Sequence, residues 1–292
     1  MHSFKKISLV VAALMASSAM VQAADLIPAP VDDLPPEVIP AAAASGWYIR
    51  GDIGYASLDH RGVNYFQGPL ITGEFEQHEL DSTWSIQGGI GYQVTDYFRV
   101  DGTIKYLGSS DFDGSSAPAG SACNGGYGFF CDYNDDAELE SATIFMANAY
   151  VDLGTVKGFT PYLGAGIGGA KVKYGELLND QTCTGSADDA LCSSNDFTHD
   201  GEAEVRFAWA LHAGASYDVS CRAKIDAGYT YTRIEGGNQF GTGVSVAGGG
   251  PLGGNGFDEG IEVHEGRVGL RYALSDAGCH TPYEEPPQVV YK

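Results

Sequence analysis

The stretch "VRFAWALHAGASYDV", residues 205–219, alternates between large apolar side chains and small or polar ones along its whole length. Successive residues of an extended chain point to opposite faces, so a period of two predicts a β-strand. One face is bulky and apolar, and the other carries small residues together with Arg206, His212 and Asp218. In a soluble protein, the apolar face of such a strand would meet a core and the polar face would meet water. In a membrane barrel, the apolar face would meet lipid and the polar face would line the lumen. The rest of the sequence decides between these two arrangements.

The same alternation recurs eight times between residues 47 and 274. Each stretch is long enough to cross a bilayer at a tilt, which takes about 9 to 11 residues. No run reaches the roughly 18 apolar residues that a spanning helix needs, so insertion into a membrane would have to be by strands. The predicted strands cover residues 47–58, 80–93, 97–107, 138–153, 160–173, 203–218, 222–234 and 260–274.

The connections between these strands alternate strictly in length. Long segments rich in Gly, Ser, Asp and Asn follow the odd-numbered strands, whereas "VTDY" (94–97), "GTVKGF" (154–159) and "DVSC" (218–221) follow the even-numbered ones. An up-and-down barrel with both termini at one end places all short turns there and all long loops at the other end. The sequence therefore predicts an all-β fold, an eight-stranded antiparallel up-and-down transmembrane β-barrel.

The ends of the chain predict export and two disordered tails. Lys5 and Lys6 precede the apolar run "ISLVVAALMA" and the small residues "VQA", which is typical of a secretory signal peptide spanning residues 1–23. Residues 24–45 and 275–292 are rich in Pro and acidic residues and show no periodicity. We therefore expect the barrel to span residues 46–274, between a periplasmic tail on each side.

The chain is strongly acidic, with 16 basic and 38 acidic residues and a net charge of −22. This balance argues against nucleic acid as a partner. The abundance of Gly, at 41 residues, and of Tyr, at 17, suits an exported all-β protein.

The two faces of the strands predict which side meets lipid. An eight-stranded barrel has a lumen only wide enough for side chains to fill, so a face of Trp, Phe and Tyr from every strand would crowd it. We therefore place the apolar face toward lipid, with Tyr55, Tyr92, Tyr97, Tyr217 and Tyr272 near the interfaces. The alternative is a soluble barrel of the lipocalin kind with a ligand cavity. The charges predicted to fill the lumen are Arg50, Asp52, Arg99, Asp101, Lys105, Asp152, Arg206, Lys224, Asp226, Glu265, Arg267 and Arg271.

Four motifs carry a resemblance to a known family. The first strand "GWYIRGDIGYA", "MANAYVDLG" in the fourth, "TPYLGAGIGGA" in the fifth and "RVGLRYAL" in the last resemble the Omp25/RopB-like outer-membrane proteins, a porin-like branch of the small OmpA-type barrels. The resemblance covers residues 46–274. It implies an outer-membrane location, a structural role in envelope integrity, exposure at the surface as an antigen, and no enzyme activity.

The resemblance also implies partners. These are outer-membrane lipid and lipopolysaccharide, the barrel-assembly machinery and, through the amine of Ala24, peptidoglycan; the alternative for residues 24–45 is an ordinary disordered leader. This chain departs from the family pattern at its end, because the last strand is followed by residues 275–292 rather than by an aromatic terminus. Two other functions stay open: a narrow porin or passive channel, and an adhesin-like surface-binding protein.

Six cysteines in an exported chain indicate disulfides rather than metal ligands, since no CxxC motif or His cluster accompanies them. The predicted topology places two cysteines in the second long loop, two in the third and two near the short-turn end. It therefore predicts the pairs Cys123–Cys131, Cys183–Cys192 and Cys221–Cys279.

The long loops are acidic, and their simplest interpretation is a solvated surface. A sharper hypothesis is that clustered carboxylates share divalent cations with lipopolysaccharide, because hard cations favour such groups. The residues of this hypothesis are Asp132, Asp135, Asp136, Asp188 and Asp189.

No motif points to a cofactor, a resident metal or a catalytic residue. "GAGIGG" (164–169) formally contains GxGxxG, but it lies inside a strand rather than opening a helix, so small residues that leave room for large neighbours explain it better. His264 and Glu265 are adjacent and must face opposite sides of a strand, which argues against joint catalysis.

Overall fold

A computed structural model describes residues 46–66, 72–74, 77–115, 121–122, 130–184, 195–241, 244–245 and 255–275 of the chain. Within these residues no helix is long and apolar enough to cross a membrane. The described residues form sixteen strands, numbered in chain order: β1 (Gly46–His60), β2 (Val63–Phe66), β3 (Thr72–Glu74), β4 (Gln77–Leu80), β5 (Thr83–Gln93), β6 (Phe98–Leu107), β7 (Ser110–Ser115), β8 (Ser121–Ala122), β9 (Phe130–Asp152), β10 (Phe159–Tyr174), β11 (Leu177–Thr184), β12 (Asn195–His199), β13 (Ala203–Asp218), β14 (Ala223–Phe240), β15 (Val244–Ser245) and β16 (Gly256–Ala273).

Eight long antiparallel strands close into a barrel. Going round it, the order is β1, β5, β6, β9, β10, β13, β14 and β16. The last strand pairs with the first from Tyr48 opposite Ala273 to His60 opposite Ile261, so the sheet has no open edge along this length. The predicted all-β, eight-stranded antiparallel barrel is confirmed.

Three strands are longer than the alternation predicted. β9 begins at Phe130, β14 ends at Phe240 and β16 begins at Gly256, so these strands project beyond their neighbours at the long-loop end. The eight short strands lie in the long connections and pair with the ends of the long strands or with one another; β11, for example, pairs with the start of β9. Outside the membrane, hydrogen bonds between backbone groups still stabilise a sheet. This backbone pairing does not require side chains that alternate between apolar and polar. The long connections are therefore partly sheet, not the plain loops predicted.

Short turns connect the long strands at the other end. In the turn between β5 and β6, Thr95 Oγ1 accepts hydrogen bonds from the backbone N–H groups of Tyr97 and Phe98, at 3.2 and 3.0 Å. Between β9 and β10, Lys157 has a φ of 53° and Gly158 a φ of 82°, a left-handed pair that reverses the chain tightly. These turns define what we call the short-turn end.

The outer face of the barrel is a band of exposed apolar side chains. Along β1, for instance, Trp47, Ile49, Ile53 and Tyr55 are all exposed, while the inward residues between them are buried or partly covered. Tyr97, Tyr217 and Tyr272 are exposed as well, and Tyr92 packs edge-on against Trp47 with ring centroids 5.3 Å apart. A continuous apolar band of this kind is what a lipid bilayer requires of a spanning barrel.

Candidate functional site: the filled lumen

The lumen near the short-turn end is filled by ion pairs centred on Arg50. Its Nε and Nη2 donate to the two carboxylate oxygens of Asp52, at 2.9 and 2.8 Å, and its Nη1 donates to Asp101 Oδ2 at 2.9 Å. Arg267 reaches Asp52 from the neighbouring strand β16, with Nη1 2.7 Å from Oδ1. Arg50 and Asp52 share a face because they lie two residues apart on a strand. Buried charges are tolerated when each has such a partner.

Further pairs complete what we call the ionic layer. Lys105 contacts Glu265, which also accepts a hydrogen bond from Ser85. Arg99 Nε lies 3.1 Å from Asp152 Oδ1. Its guanidinium also stacks on two rings, 4.1 Å from the centroid of Tyr150 and 4.6 Å from that of Tyr162. The ionic layer consists of Arg50, Asp52, Arg99, Asp101, Lys105, Asp152, Asp226, Glu265, Arg267 and Arg271.

Two neutral residues, His212 and Asn148, also belong to this layer. Neither is among the charges predicted to fill the lumen. His212 Nε2 lies 3.1 Å from Asn148 Oδ1, and Asn148 Nδ2 donates to Asp101 Oδ1 at 2.8 Å. The glycines of "GAGIGG" make room for them, because a side chain at Gly164 would meet the ring of Tyr150 and one at Gly166 would meet Asn148. The signal in the sequence was this cluster of inward glycines opposite large side chains.

The half of the lumen toward the long-loop end is apolar. Leu58, Leu107, Ile144 and Ile261 are buried there, with Ala and Val side chains between them. The prediction that apolar side chains point away from the barrel axis is therefore wrong for this half. Outward neighbours such as Phe145 and Phe207 remain exposed, so apolar side chains occupy both faces of these strands here. The set that we call the apolar layer is Ala56, Leu58, Leu107, Ala142, Ile144, Met146, Ala170, Val172, Ala208, Ala210, Ile234, Ile261 and Val263.

A small polar cluster lies above the apolar layer, around Asp258. This carboxylate accepts from Arg206 Nη1 at 2.6 Å, from the Tyr174 hydroxyl at 3.2 Å and from the Gly260 backbone N–H at 2.8 Å. Burial, reinforced by the nearby carboxylate, raises the pKa of the Tyr174 hydroxyl well above its usual range, so it remains a donor. The apolar layer separates Arg206 from the ion pairs below.

Eleven of the twelve charges assigned to the lumen from the sequence are buried. Ten of them lie in the ionic layer and the eleventh is Arg206. Lys224 differs, since it lies half-exposed at the short-turn end, where its Nζ is 2.5 Å from Asp218 Oδ1. The buried side chains of each layer therefore fill the lumen between the described strands.

The cysteine pairs fall partly outside the described residues, which do not include Cys123, Cys192 or Cys279. Cys221 is disulfide-bonded. The backbone register of β11 and β9 places Cys183 directly opposite Cys131. Non-reducing peptide mapping distinguishes a Cys131–Cys183 bond from the predicted pairs.

The proposed cation site is also described only in part. Asp132, Asp135 and Asp136 belong to the first half of β9 rather than to a loop, whereas Asp188, Asp189 and the candidate attachment point Ala24 lie outside the described residues. Among the residues that the structure places, no group of three or more His, Cys, Asp or Glu residues could hold a metal ion.

His264 and Glu265 face opposite sides of β16. His264 points outward, where its Nδ1 lies 2.5 Å from the hydroxyl of Tyr229, while Glu265 is buried in the ionic layer. The two side chains therefore do not form a joint site.

Comparisons with known proteins find similar sequences and similar solved structures. An uncharacterized protein of Brucella suis is 35% identical over 289 residues, covering 91% of this chain and 97% of its own length. The solved structure of OprG from Pseudomonas aeruginosa is similar over 80% of this chain and 98% of its own, with 14% identity and a TM-score of 0.47. That of Neisserial surface protein A covers 78% and 97%, with 17% identity and a TM-score of 0.37.

The family profile described as "Outer membrane protein beta-barrel domain" matches residues 9–272. This match includes the described barrel up to the last residue but one of β16 and therefore supports a location in the outer membrane. The closed sheet and the exposed apolar band are the features of the fold that such a membrane demands. The chain belongs to the outer-membrane protein β-barrel family.

Proposed function

We propose that the protein is a closed structural barrel of the Omp25/RopB-like kind, which supports envelope integrity and presents acidic loops at the cell surface. The observation that carries this proposal is the filling of the lumen by two successive layers, one ionic and one apolar. A barrel filled in this way offers no aqueous path from one end to the other. The protein would then contribute to the envelope through the stability of its barrel in the membrane and through the loop surface that it displays.

A narrow porin is the main competing function, and planar bilayers separate the two. The purified protein is expected to show no large steady conductance, because ions would have to displace both layers. A general porin, reconstituted in the same membranes, provides the positive control. Large steady conductance steps whose number rises with protein concentration would favour the porin.

We further propose that the long-loop end faces outside and that both termini are periplasmic. This arrangement follows the sorting of long and short connections, which outer-membrane barrels share. Two exposed lysines at opposite ends of β10 provide a matched test: Lys173 near the long-loop end and Lys157 in the turn before the strand. In intact cells, a membrane-impermeant maleimide is expected to label Lys173→Cys but not Lys157→Cys. The unsubstituted protein controls for native thiols, and the reverse pattern would invert the orientation.

The role in envelope integrity is tested by deleting the gene in its own bacterium. We expect greater sensitivity to detergent and faster uptake of a hydrophobic dye, both restored by the unsubstituted gene. If lipopolysaccharide is a partner through shared divalent cations, a variant with five aspartates changed to asparagine will restore less. If this variant restored envelope integrity fully, the five aspartates would not be needed and the role in integrity would depend on the barrel alone. The five positions are Asp132, Asp135, Asp136, Asp188 and Asp189.

An adhesin-like function is the third candidate and depends on the loops alone. In that case the deletion would reduce attachment to surfaces or to other cells while detergent sensitivity stayed unchanged. Peptidoglycan attachment through Ala24 is a separate proposal. Mass spectrometry of peptides released by muramidase tests it directly.

A further inference from the structure

A connected group of aromatic side chains lies on the outward faces of β13, β14 and β16, toward the long-loop end. The Tyr229 hydroxyl lies 2.5 Å from His264 Nδ1. The centroids of the His264 and Tyr231 rings are 5.2 Å apart, and those of Tyr231 and Trp209 are 5.5 Å apart. The four rings therefore form one continuous surface across three neighbouring strands.

Charged side chains lie next to these rings. Arg233 and Glu262 are register partners on β14 and β16, and Arg233 Nη1 donates to Glu262 Oε1 at 2.9 Å. Arg61 is about half exposed and lies 3.9 Å from the same carboxylate. The exposed Asp59 is the register partner of Glu262 on β1. Arg61 and Asp59 thus flank what we call the outer patch, which consists of Trp209, Tyr229, Tyr231, Arg233, Glu262 and His264.

The outer patch lies at the height where the outward face changes from apolar to polar. On β1 the outward side chains run from Ile53 through Tyr55 to Ser57. Ser57 is the register partner of His264. Aromatic residues with a polar tip collect at this level of a membrane barrel, because their rings meet acyl chains while their polar atoms meet headgroups. The polar atoms of the outer patch are therefore placed among lipid headgroups.

The chemistry of the outer patch and its flanks favours sugar hydroxyls over phosphate. Its two guanidinium groups are matched by two carboxylates, so it carries no excess of positive charge to offset the net charge of −22 of the chain. Hydroxyl groups both donate and accept, so carboxylates accept from them and guanidinium groups donate to them. The Tyr229 ring, 46% exposed, offers an apolar face against which the C–H groups of a sugar can pack.

We propose that the outer patch binds the sugar headgroup of a membrane glycolipid. The sugar packs on the exposed ring of Tyr229, and its hydroxyls bind Asp59, Arg61 and Glu262. This inference deepens the proposed contact with lipopolysaccharide, and its place in the cell rests on the proposed function and orientation. Binding in nanodiscs does not depend on that orientation, since a nanodisc presents the same lipid in both leaflets.

A second pair of rings provides a matched comparison. Trp84 and Tyr106 lie 5.9 Å apart on β5 and β6, also toward the long-loop end. The register partners of Tyr106 are Ile86 and Thr143, whereas Tyr231 has His264 as a partner. The two pairs therefore share an aromatic surface and differ in the polar groups beside it.

Tryptophan emission of the full exported chain in phosphatidylcholine nanodiscs tests the proposal. The chain has three tryptophans, so Trp47→Phe/Trp84→Phe leaves Trp209 as the single reporter and Trp47→Phe/Trp209→Phe leaves Trp84. The probes are lipid A, a neutral diglucosyl diacylglycerol and phosphatidic acid, added in increasing proportion. The second probe carries sugar without phosphate, and the third carries phosphate without sugar.

We expect both glycolipids to shift the Trp209 emission saturably, phosphatidic acid to leave it unchanged, and Trp84 to show no saturable shift. Adding Asp59→Asn/Glu262→Gln to the Trp209 reporter will raise the glycolipid proportion at half-saturation about fivefold, as expected for the loss of one hydrogen bond. Should this double variant fail to fold, the exposed Asp59→Asn alone will move the midpoint in the same direction.

Four results would each overturn the proposal. They are no saturable shift of Trp209, an equal shift with phosphatidic acid, an equal saturable shift of Trp84, and an unchanged midpoint in the folded carboxylate variant.

Discussion

Replacing Arg50 with methionine is expected to lower the free energy of unfolding by about 3 to 5 kcal/mol, the cost of removing one partner from a buried ion pair. Its side chain is only 1% exposed and holds Asp52 and Asp101 together. Without Arg50, Asp52 keeps Arg267 and Gln87, and Asp101 keeps Tyr48 and Asn148. Two carboxylates would then share one remaining cation. Urea unfolding in detergent micelles, followed by tryptophan fluorescence, measures the change.

Arg61→Met is the matched control for this substitution. The same side chain is removed, but Arg61 is about half exposed and lies 3.9 Å from Glu262, so we expect a loss of no more than about 1 kcal/mol. Arg50→Lys keeps the charge but loses the two-pronged contact with the Asp52 carboxylate. Its loss of unfolding free energy should therefore lie between those of Arg50→Met and Arg61→Met. Equal losses for Arg50→Met and Arg61→Met would show that the ionic layer does not hold the barrel together.

Replacing Ile53 with lysine is expected to destabilise the membrane-inserted barrel by about 1 to 3 kcal/mol, between the values for a lysine at an interface and at mid-membrane. Ile53 is 68% exposed and lies within the apolar band of β1, between Trp47 and Tyr55. It is the outward residue directly before the interfacial Tyr55. If this face met water instead, a charged side chain would be neutral or favourable. The measurement is reversible unfolding in lipid vesicles, compared with the unsubstituted protein.

Ser57→Lys provides the control on the same strand and the same face. Ser57 is exposed and lies four residues from Ile53, beyond Tyr55, where the lipid-face penalty falls to about 0 to 1 kcal/mol. The difference between the two variants isolates depth in the membrane from the general effect of a lysine. An unchanged Ile53→Lys protein that stays monomeric in buffer without detergent would contradict the membrane-spanning assignment and favour the soluble barrel.

The sequence was most informative where the bilayer imposes a simple pattern. Within the apolar band every second residue must be apolar, so stretches such as 203–218 were located with the bounds that β13 has in the structure. Beyond the band this requirement ends. The extensions of β9 and β14 were missed for that reason, because sheet continues there without a regular alternation of side chains.

The sequence by itself determined the number of long strands, the sorting of their connections and which face of each strand is inward, since all three depend on a period of two. Only the tertiary structure decided what the inward residues meet. Arg267 and Asp52 are 215 residues apart and Arg50 and Asp101 are 51 apart, yet they form one network because the register between strands places them at one height. A local pattern carries no information on register around a closed barrel. The split of the lumen into an ionic and an apolar layer therefore emerged only from the closed sheet.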